Sequence, residues 1–294
     1  MSHLENNGRP WAYSAFRARV SRRRVLSPGF VRMTLAGPDL RNFAPWGLDQ
    51  RIKLVLPMAD GSLADFGLLA DPTPHPSDWY ARWRALPEGD RNVLRTYTPA
   101  AIRPEAGEID VDVVIHEPPG PASRWALGAR IGEEIVLTGP DIRAGVTGYG
   151  IAWQPGDARR VLIVGDETAF PAIRNILDAL GEDVRAHVLA EVGGTEDDLL
   201  SSRRSDSVTV DVRRRNGIPG SGLDDAVRDW AAAASETTSG EQEPTAVADD
   251  LYVWIAGEAG SVTRIRRHLA DDLGVPKERI SFLGYWRHGG PLTS

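Results

Sequence analysis

The sequence reads Arg95-Thr96-Tyr97-Thr98-Pro99 where a loop-like segment gives way to strands. This stretch precedes Val111–Ile115, whose alternation predicts a half-buried strand. A strand that carries a cation, an aromatic ring and a short hydroxyl on neighbouring positions suits a planar, hydrogen-bonding cofactor with phosphate groups, such as a flavin nucleotide. An ordinary β-strand with cross-strand pairs explains the same residues equally well. The rest of the chain has to decide between these two interpretations.

The composition excludes several classes of protein. The 294 residues carry 34 Lys and Arg against 41 Asp and Glu, and this net charge of −7 argues against nucleic acid as the main partner. Because the chain has no cysteine, disulfides, thiolate catalysis and cysteine-bound iron–sulfur clusters are excluded. The six His show no paired metal-ligand spacing, so we predict no metal site. No signal peptide and no apolar stretch of the roughly 20 residues that span a membrane is visible, so we expect a cytoplasmic protein, and a monomer.

Residues 1–150 have the pattern of a small antiparallel β-barrel. Short strands separated by turn signals recur every ~10–20 residues, which is typical of this architecture. We predict strands at 16–20, 31–35, 51–56, 95–99, 111–115 and 133–139. The basic run Arg22–Arg24 is interpreted as a solvated strand face. Residues 57–92 are interpreted as a long surface excursion with a short helix around Trp79–Leu86, whose aromatic residues form a local mini-core.

One short helix in this half begins in a way that suits phosphate. Gly120-Pro121-Ala122-Ser123 precedes a short apolar run, and Pro and Ser are typical of a helix start. The unpaired N–H groups and the dipole of such an end attract phosphate. Simple capping of a short helix explains these residues too, but the position one strand after Arg95–Pro99 favours a binding role.

Residues 151–294 have the pattern of a doubly wound α/β domain. Val161–Val164 is a continuous apolar run, typical of a strand buried on both faces of a parallel sheet. Further strands alternate with amphipathic helices, as this fold requires. We predict strands at 161–164, 185–190, 208–212, 251–256 and 279–286, and helices at 172–180, 223–234 and 261–273. Thr237–Ala248 is predicted to be a polar linker.

Six motifs occur along the chain in an order that is known from one family. They are Gln50–Leu54, Leu94–Thr98, His116 with Gly120–Ala126, Gly165–Ala169, Trp254–Glu258 and Gly284–Arg287. Through Arg95-Thr96-Tyr97-Thr98 the sequence resembles the ferredoxin–NADP reductase-like superfamily, whose flavin motif is R-x-Y-[ST]. It resembles more closely the siderophore-interacting proteins, which are flavin-dependent ferric-siderophore reductases. Each motif is weak by itself, but six in order are specific.

The resemblance implies that FAD is the cofactor of the predicted barrel. The implied cofactor-binding residues are Arg95, Thr96, Tyr97, Thr98, His116, Ala122 and Ser123. Arg95 is implied to lie by the pyrophosphate, Tyr97 against the flavin ring or ribityl chain, and Thr98 near the N5 atom of the ring. Ala122 and Ser123 are implied to contact the pyrophosphate from the helix start, which agrees with the physical argument for that end.

The resemblance also implies that the substrate is a ferric siderophore. Hard oxygen ligands hold Fe(II) far more weakly than Fe(III), so reduction releases the iron and leaves the chelator intact. Many ferric siderophores are anionic, and an acidic protein then needs a local basic pocket, for which Lys53, Arg124 and Arg287 are the candidates. Simpler explanations exist for three residues: Arg124 as a helix-surface residue, Arg287 as a tail residue and His116 as a turn residue.

The electron donor implied by the resemblance is NAD(P)H or a ferredoxin, and NAD(P)H is slightly preferred. The candidate residues are Asp166, Glu167, Thr168, Gly257 and Glu258. In the superfamily the first α/β loop is rich in glycine, so that the backbone approaches phosphate closely. Here Asp166 and Glu167 stand in that loop and would repel a pyrophosphate unless they point away. The superfamily's Cys-Gly pair is likewise replaced by Ala256-Gly257-Glu258.

Two other functions remain open at the level of the sequence. The first is a general NAD(P)H-flavin or ferredoxin-type reductase whose substrate is not a siderophore. The second is a siderophore-binding protein without turnover, which would keep Lys53 and Arg287 but would not need Arg95 and Tyr97. The presence of both sets of residues favours the reductase.

Overall fold

The two strand patterns of the sequence fold as two separate sheets. A computed structural model, which describes residues 12–237 and 250–289, has a seven-stranded sheet in the first half of the chain and a five-stranded sheet in the second. The chain divides into two compact units after Ile151, and Ser27–Gly29 group with the second unit. The predicted linker Thr237–Ala248 lies outside the described residues, except for Thr237 at the end of a helix.

The first sheet is an antiparallel half-barrel. Its strands are β1 (Tyr13–Ser27), β2 (Phe30–Ala36), β3 (Ile52–Leu56), β4 (Val93–Tyr97), β5 (Pro99–Arg103), β6 (Glu108–Val114) and β7 (Glu134–Pro140). They are ordered β4-β3-β7-β1-β2-β6-β5, so β4 and β5 form the two edges. Alternate residues such as Phe16, Leu54 and Leu137 fill a buried core. The predicted antiparallel barrel is thereby confirmed.

Two strands differ from the prediction. β1 covers fifteen residues and pairs with β7 through Tyr13–Arg19, whereas the sequence predicted only 16–20. The run Arg22–Arg24 continues this strand with exposed side chains, which confirms its interpretation as a solvated strand face. The end of the strand was not predicted, because a run of charges has no alternation of apolar and polar residues. β5 was not predicted, because a proline followed by two alanines carries little strand signal.

Two helices accompany the half-barrel, α1 (Pro76–Ala85) and α2 (Pro121–Gly128). The stretch 57–92 is less of a surface excursion than the sequence suggested. Phe66, Leu68 and Trp79 are at most 5% exposed and pack against Val55 and Val136 of the sheet. The aromatic residues therefore form the predicted mini-core, but it is part of the packed structure because their large apolar surfaces are buried against the outer face of the sheet.

The second sheet is parallel and doubly wound. Its strands are β8 (Arg160–Asp166), β9 (Arg185–Val192), β10 (Val208–Arg214), β11 (Leu251–Glu258) and β12 (Ile280–Trp286), in the order β10-β9-β8-β11-β12. The order reverses between β8 and β11, so the carboxyl ends of these two strands flank the crevice where such folds bind ligands. β11 is buried at every position, as expected for the central part of a parallel sheet.

The helices of this unit are α3 (Phe170–Asp178), α4 (Ser221–Thr237) and α5 (Ala259–Arg267). Leu223 and Val227 of α4 share one apolar cluster with Ile265 of α5, so these two helices cover the same face of the sheet. Right-handed crossovers place α3 on the opposite face, because the chain steps from β8 to β9 in the other direction. No helix in the described ranges is both long and apolar enough to cross a bilayer.

Candidate functional site

The Arg95–Thr98 motif and the start of α2 lie at the same end of the half-barrel. Pro99 pairs with Val111 in antiparallel register. Residues before Pro99 therefore lie at the same end as residues after Val111, where β6 leads towards α2. Since β4 and β5 are the two edges of the sheet and only Thr98 lies between them in the chain, the motif joins these two edges.

The side chains of this motif differ in exposure. Arg95 and Thr96 are exposed, Tyr97 is half-buried and Thr98 is 5% exposed. Tyr97 packs against the barrel core, to which Ala122 of α2 also belongs. Burial raises the pKa of the Tyr97 phenol above its ordinary value, while the nearby charge of Arg95 acts in the opposite direction. The phenol is therefore neutral at physiological pH and can donate a hydrogen bond.

The first turn of α2 is suited to a diphosphate. Gly120 is the N-cap and makes no side-chain hydrogen bond, and Pro121 occupies the first turn. The first-turn N–H groups are therefore left without the usual capping side chain. Ala122 is small and packs in the barrel core, so its side chain does not extend over the start of the helix. An uncapped helix start and the guanidinium of Arg95, both at one end of the half-barrel, fit the phosphates of a dinucleotide cofactor.

Ser123 has a structural task that the sequence did not reveal. Its hydroxyl donates to the carbonyl oxygen of Val114 at 3.0 Å and accepts from the backbone N–H of His116 at 3.3 Å. The side chain is 2% exposed, so only the backbone N–H of Ser123 remains as a candidate phosphate donor. The His116 side chain is exposed, and the backbone of His116 is tied to α2 through this contact.

The three predicted substrate cations lie in different places. Lys53 of β3 pairs in register with Thr96, and its Nζ donates to Thr96 Oγ1 at 3.3 Å, so it lies beside the flavin motif. Its pKa is lowered, chiefly by partial burial and further by the charge of Arg51. Arg124 is exposed on α2. Arg287 belongs to the second unit and is exposed directly after β12.

Asp166 lies at the carboxyl end of β8 and points inward. It is 1% exposed, and its Oδ1 accepts from both the backbone N–H (3.0 Å) and the hydroxyl of Thr168. Its Oδ2 accepts from the backbone N–H of Glu258 at 2.9 Å and from the indole N–H of Trp286 at 2.7 Å. Gly257 has φ +150°, and a Cβ there would lie 2.5 Å from Oδ2, so this close approach requires glycine.

Glu167 points into a second buried network. Arg215 donates to Glu167 at 2.6 Å and to Glu191 at 2.8 Å. Burial, and then the charge of Asp166, raises the pKa of Glu167 to about 7, although Arg215 acts in the opposite direction. The sequence reasoning missed both Glu191 and Arg215. Glu191 directly follows the predicted strand 185–190, and this position at a carboxyl end was the available signal; Arg215 carried none.

Three carboxylates occupy the backbone donors at this edge of the sheet. Asp166 accepts from the N–H groups of Thr168 and Glu258, as described above. Glu191 accepts from the N–H groups of Gly220 and Gly222 near the start of α4, at 2.8 and 2.9 Å. Glu258 is the N-cap of α5 and accepts from the Ser261 N–H at 2.8 Å. In doubly wound folds such donors bind phosphate, so here the chain's own carboxylates take the place of an anion.

Known proteins match both halves of the chain. Residues 19–144 match the siderophore-interacting FAD-binding domain, and residues 158–289 match the siderophore-interacting protein model. The Mycobactin import ATP-binding/permease protein IrtA of Mycolicibacterium smegmatis is 31% identical over 224 residues, 76% of this chain. The chain spans only 23% of the length of IrtA.

Two further relatives are matched along nearly their whole length. The ferric vibriobactin reductase ViuB of Vibrio cholerae is 27% identical over 277 residues, 91% of this chain and 88% of ViuB. The crystal structure of the siderophore-interacting protein SipS from Aeromonas hydrophila superposes with a TM-score of 0.66 at 28% identity, over 95% of this chain and 94% of SipS. Both the half-barrel and the α/β unit are therefore covered by one architecture.

Proposed function

Because the chain belongs to the siderophore-interacting protein family, we propose that it is a ferric-siderophore reductase that converts chelated Fe(III) to Fe(II). Its first unit is a FAD-binding domain, and FAD is the cofactor. The observation that supports the proposal is the position of the Arg95–Thr98 motif, which pairs with the strand that carries Lys53 and lies at the end of the half-barrel where β6 leads towards the uncapped start of α2. The name of the relative ViuB, a ferric vibriobactin reductase, supports the reaction class.

The residues of the first unit bind and orient the cofactor in this proposal. Bound FAD supplies the redox chemistry, since a flavin takes two electrons from a donor and passes single electrons to Fe(III). Arg95 and the backbone N–H groups of Ala122 and Ser123 hold the diphosphate. The neutral phenol of Tyr97 and the buried Thr98 orient the ring system. Thr96 orients the ammonium of Lys53, and His116 shapes the loop that enters α2.

The substrate is held by charge rather than by acid–base groups. Electron transfer to Fe(III) needs no nucleophile or proton donor from the protein, so the chain has only to position the chelate. Lys53, Arg124 and Arg287 are the proposed contacts to an anionic ferric siderophore. Once reduced, the iron is released because hard oxygen ligands hold Fe(II) weakly.

The electron donor is proposed to act at the α/β unit, through the edge that Asp166, Glu167, Thr168, Gly257 and Glu258 form. NAD(P)H and a ferredoxin are the two candidate donors. Action in the cytoplasm as a monomer stays a prediction from the sequence.

The proposal is tested by following the flavin and the iron in one anaerobic experiment. FAD-loaded protein is mixed with NADH, NADPH or reduced ferredoxin, and a ferric siderophore with an Fe(II) trap is then added. We expect a yellow protein whose flavin absorbance is bleached by one donor and recovers as the trap develops colour. A protein that cannot be loaded with FAD would refute the proposal.

The remaining outcomes separate the alternative functions. If the flavin is bleached but the iron stays chelated, the protein is a general flavin or ferredoxin-type reductase. If the protein binds a ferric siderophore but none of the donors reduces the flavin, it is a siderophore-binding protein without turnover.

A further inference from the structure

Arg287 is exposed, yet the residues on both sides of it are fixed by buried carboxylates. The indole N–H of Trp286 donates to Asp166 Oδ2 at 2.7 Å. The backbone N–H of His288 donates to Glu258 Oε1 at 3.3 Å. Asp166 and Glu258 are 1% and 8% exposed, and they lie at the ends of the adjacent strands β8 and β11. The chain is therefore held immediately before and immediately after Arg287.

We propose that Asp166 and Glu258 are positioning residues for Arg287, which they hold in the conformation that contacts an anionic ferric chelate. The inference rests on the proposed function and extends it, because the proposed function places these two carboxylates at the electron-donor edge and gives them no part in binding the chelate. Neither carboxylate touches the chelate in this proposal. Both act through the backbone and side chain of the residues that flank Arg287.

The two oxygens of each carboxylate accept hydrogen bonds from different parts of the chain, and this supports the role. Asp166 caps its own loop with Oδ1 alone, since both donors of Thr168 bond to that atom. Its Oδ2 is left for Trp286 and for the Glu258 N–H. Local capping therefore uses only half of the acceptor capacity of Asp166.

Glu258 divides its oxygens in the same way. Its Oε2 caps α5 by accepting from the Ser261 N–H at 2.8 Å, and its Oε1 accepts from the His288 N–H. An N-cap needs only one acceptor oxygen. In both carboxylates the second oxygen accepts a hydrogen bond from the segment that carries Arg287.

The geometry of the strand ends restricts the movement of the segment that carries Arg287. The register between β11 and β12 shifts at Gly257 and Glu258, which brings Glu258 opposite Trp286. A side chain at position 257 would collide with Asp166 Oδ2, so this position is restricted to glycine. Hydrogen bonds to a buried carboxyl group are costly to break, because a buried donor or acceptor is then left without a partner. An arginine on such a segment loses less conformational entropy when it binds a ligand than an arginine on a free tail.

The test measures the binding of a redox-inert chelate. An anionic siderophore loaded with Ga(III) is titrated into FAD-loaded protein, and its Kd is compared with that of a neutral Ga(III) chelate. We expect Asp166→Asn and Glu258→Gln to raise the Kd of the anionic chelate about fivefold and to leave that of the neutral chelate within twofold. Simple electrostatics predicts no such loss, because each substitution replaces a carboxyl group by a neutral amide and so adds no negative charge.

The control is Glu191→Gln, which neutralises another buried helix-capping carboxylate at the same sheet edge. Glu191 bonds to Arg215 and to the start of α4, and none of its hydrogen bonds involves residues 286–288. We expect it to leave both Kd values unchanged. In an Arg287→Gln background, Asp166→Asn should cause no further loss, since coupled residues give non-additive effects.

A spectroscopic readout keeps the test decisive if one variant folds poorly. The indole N–H resonance of Trp286, assigned with Trp286→Phe, should move in Asp166→Asn and stay in Glu191→Gln. Trp286→Phe removes the same hydrogen bond from the other side and should weaken anionic binding equally. If the resonance moves while the Kd of the anionic chelate is unchanged, or if the loss is the same with and without Arg287, the inference is wrong. Wild-type protein that binds the Ga(III) chelate but reduces no ferric chelate would instead overturn the proposed function.

Discussion

Lys53 is the cation that lies beside the flavin motif, half-buried and in contact with Thr96. We expect Lys53→Ala to raise the KM for an anionic ferric chelate about fivefold, because an ion pair that is partly exposed to solvent contributes up to about 1 kcal/mol. The KM for a neutral chelate should stay within twofold. Steady-state rates with an Fe(II) trap check this, and an equal loss for both chelates would contradict the charge role.

The lowered pKa of Lys53 gives this prediction a pH control. The ammonium loses its proton at a lower pH than an ordinary lysine, whose pKa is about 10.4. The preference for the anionic chelate should therefore fade as pH rises towards that lowered pKa. Lys53→Arg keeps its charge and should retain the preference up to pH 10.

Glu167 predicts a pH dependence of stability. Its pKa is raised to about 7 in the folded chain, above the unfolded value of about 4.3. The folded state thus binds the proton more tightly, and the stabilisation is fully present below the unfolded pKa and is lost as pH rises through 7. We expect the free energy of unfolding of wild type, relative to Glu167→Gln, to fall between pH 5 and pH 8. Urea unfolding of both proteins measures this; a constant difference would show that Arg215 keeps Glu167 ionised throughout.

At the residue level, the sequence indicates candidate binding positions, but it does not show what each side chain contacts in the fold. The contact of Ser123 with pyrophosphate from the start of α2 stays a prediction for its backbone N–H. The hydroxyl of Ser123 contacts Val114 and His116, which only the folded loop brings within reach. Whether Asp166 points away from the crevice also could not be predicted. The answer depends on Trp286, which is 120 residues away in the chain.

At the scale of the elements, the carboxyl edge of the parallel sheet leads to a prediction about which half of a nicotinamide donor the protein binds. Asp166, Glu191 and Glu258 already accept from the backbone N–H groups that would bind a diphosphate there. We expect ADP-ribose, which contains the diphosphate but not the nicotinamide, to bind with a Kd above about 1 mM. Calorimetric titration of FAD-loaded protein checks this.

A kinetic comparison provides the control for this edge. If NADH reduces the flavin, reduced nicotinamide mononucleotide should do so with a similar second-order rate constant, within about threefold, because the missing adenylate half makes no contacts. Tight binding of ADP-ribose, or a large advantage of NADH, would mean that the carboxylates move aside for a diphosphate.

Elements with a clear period were predicted well, and elements without one were not. The continuous apolar run of β8 and the alternation of β6 identified strands of the correct type. Pro99–Arg103 forms β5 because it pairs with β6, and such tertiary pairing overrides weak local preference. The helix predicted for 261–273 ends as α5 at Arg267 and continues as a π-helical turn, a change that periodicity does not predict.

At the scale of the whole molecule, the fold class, the family and the FAD cofactor were all predictable from the sequence. The six motifs lie in order along both units, and the change from alternating to continuous apolar strands separates an antiparallel from a parallel sheet. The net charge of the chain does not indicate the cations of the candidate site. The chain is acidic overall, yet Lys53 and Arg95 lie on adjacent paired strands, where only the register of β3 and β4 places them.

The position of β4 and β5 at opposite edges of the half-barrel has a consequence for the protein in the absence of its cofactor. Uncovered edge strands pair readily with other chains, which makes them sites of aggregation. The proposed cofactor-binding motif connects these edges, so FAD would shield them as well as carry electrons. We expect flavin-free protein to scatter light sooner on gentle heating than FAD-loaded protein, and riboflavin-starved cells to accumulate it in the insoluble fraction. Equal scattering with and without FAD would show that the edges are protected by the chain itself.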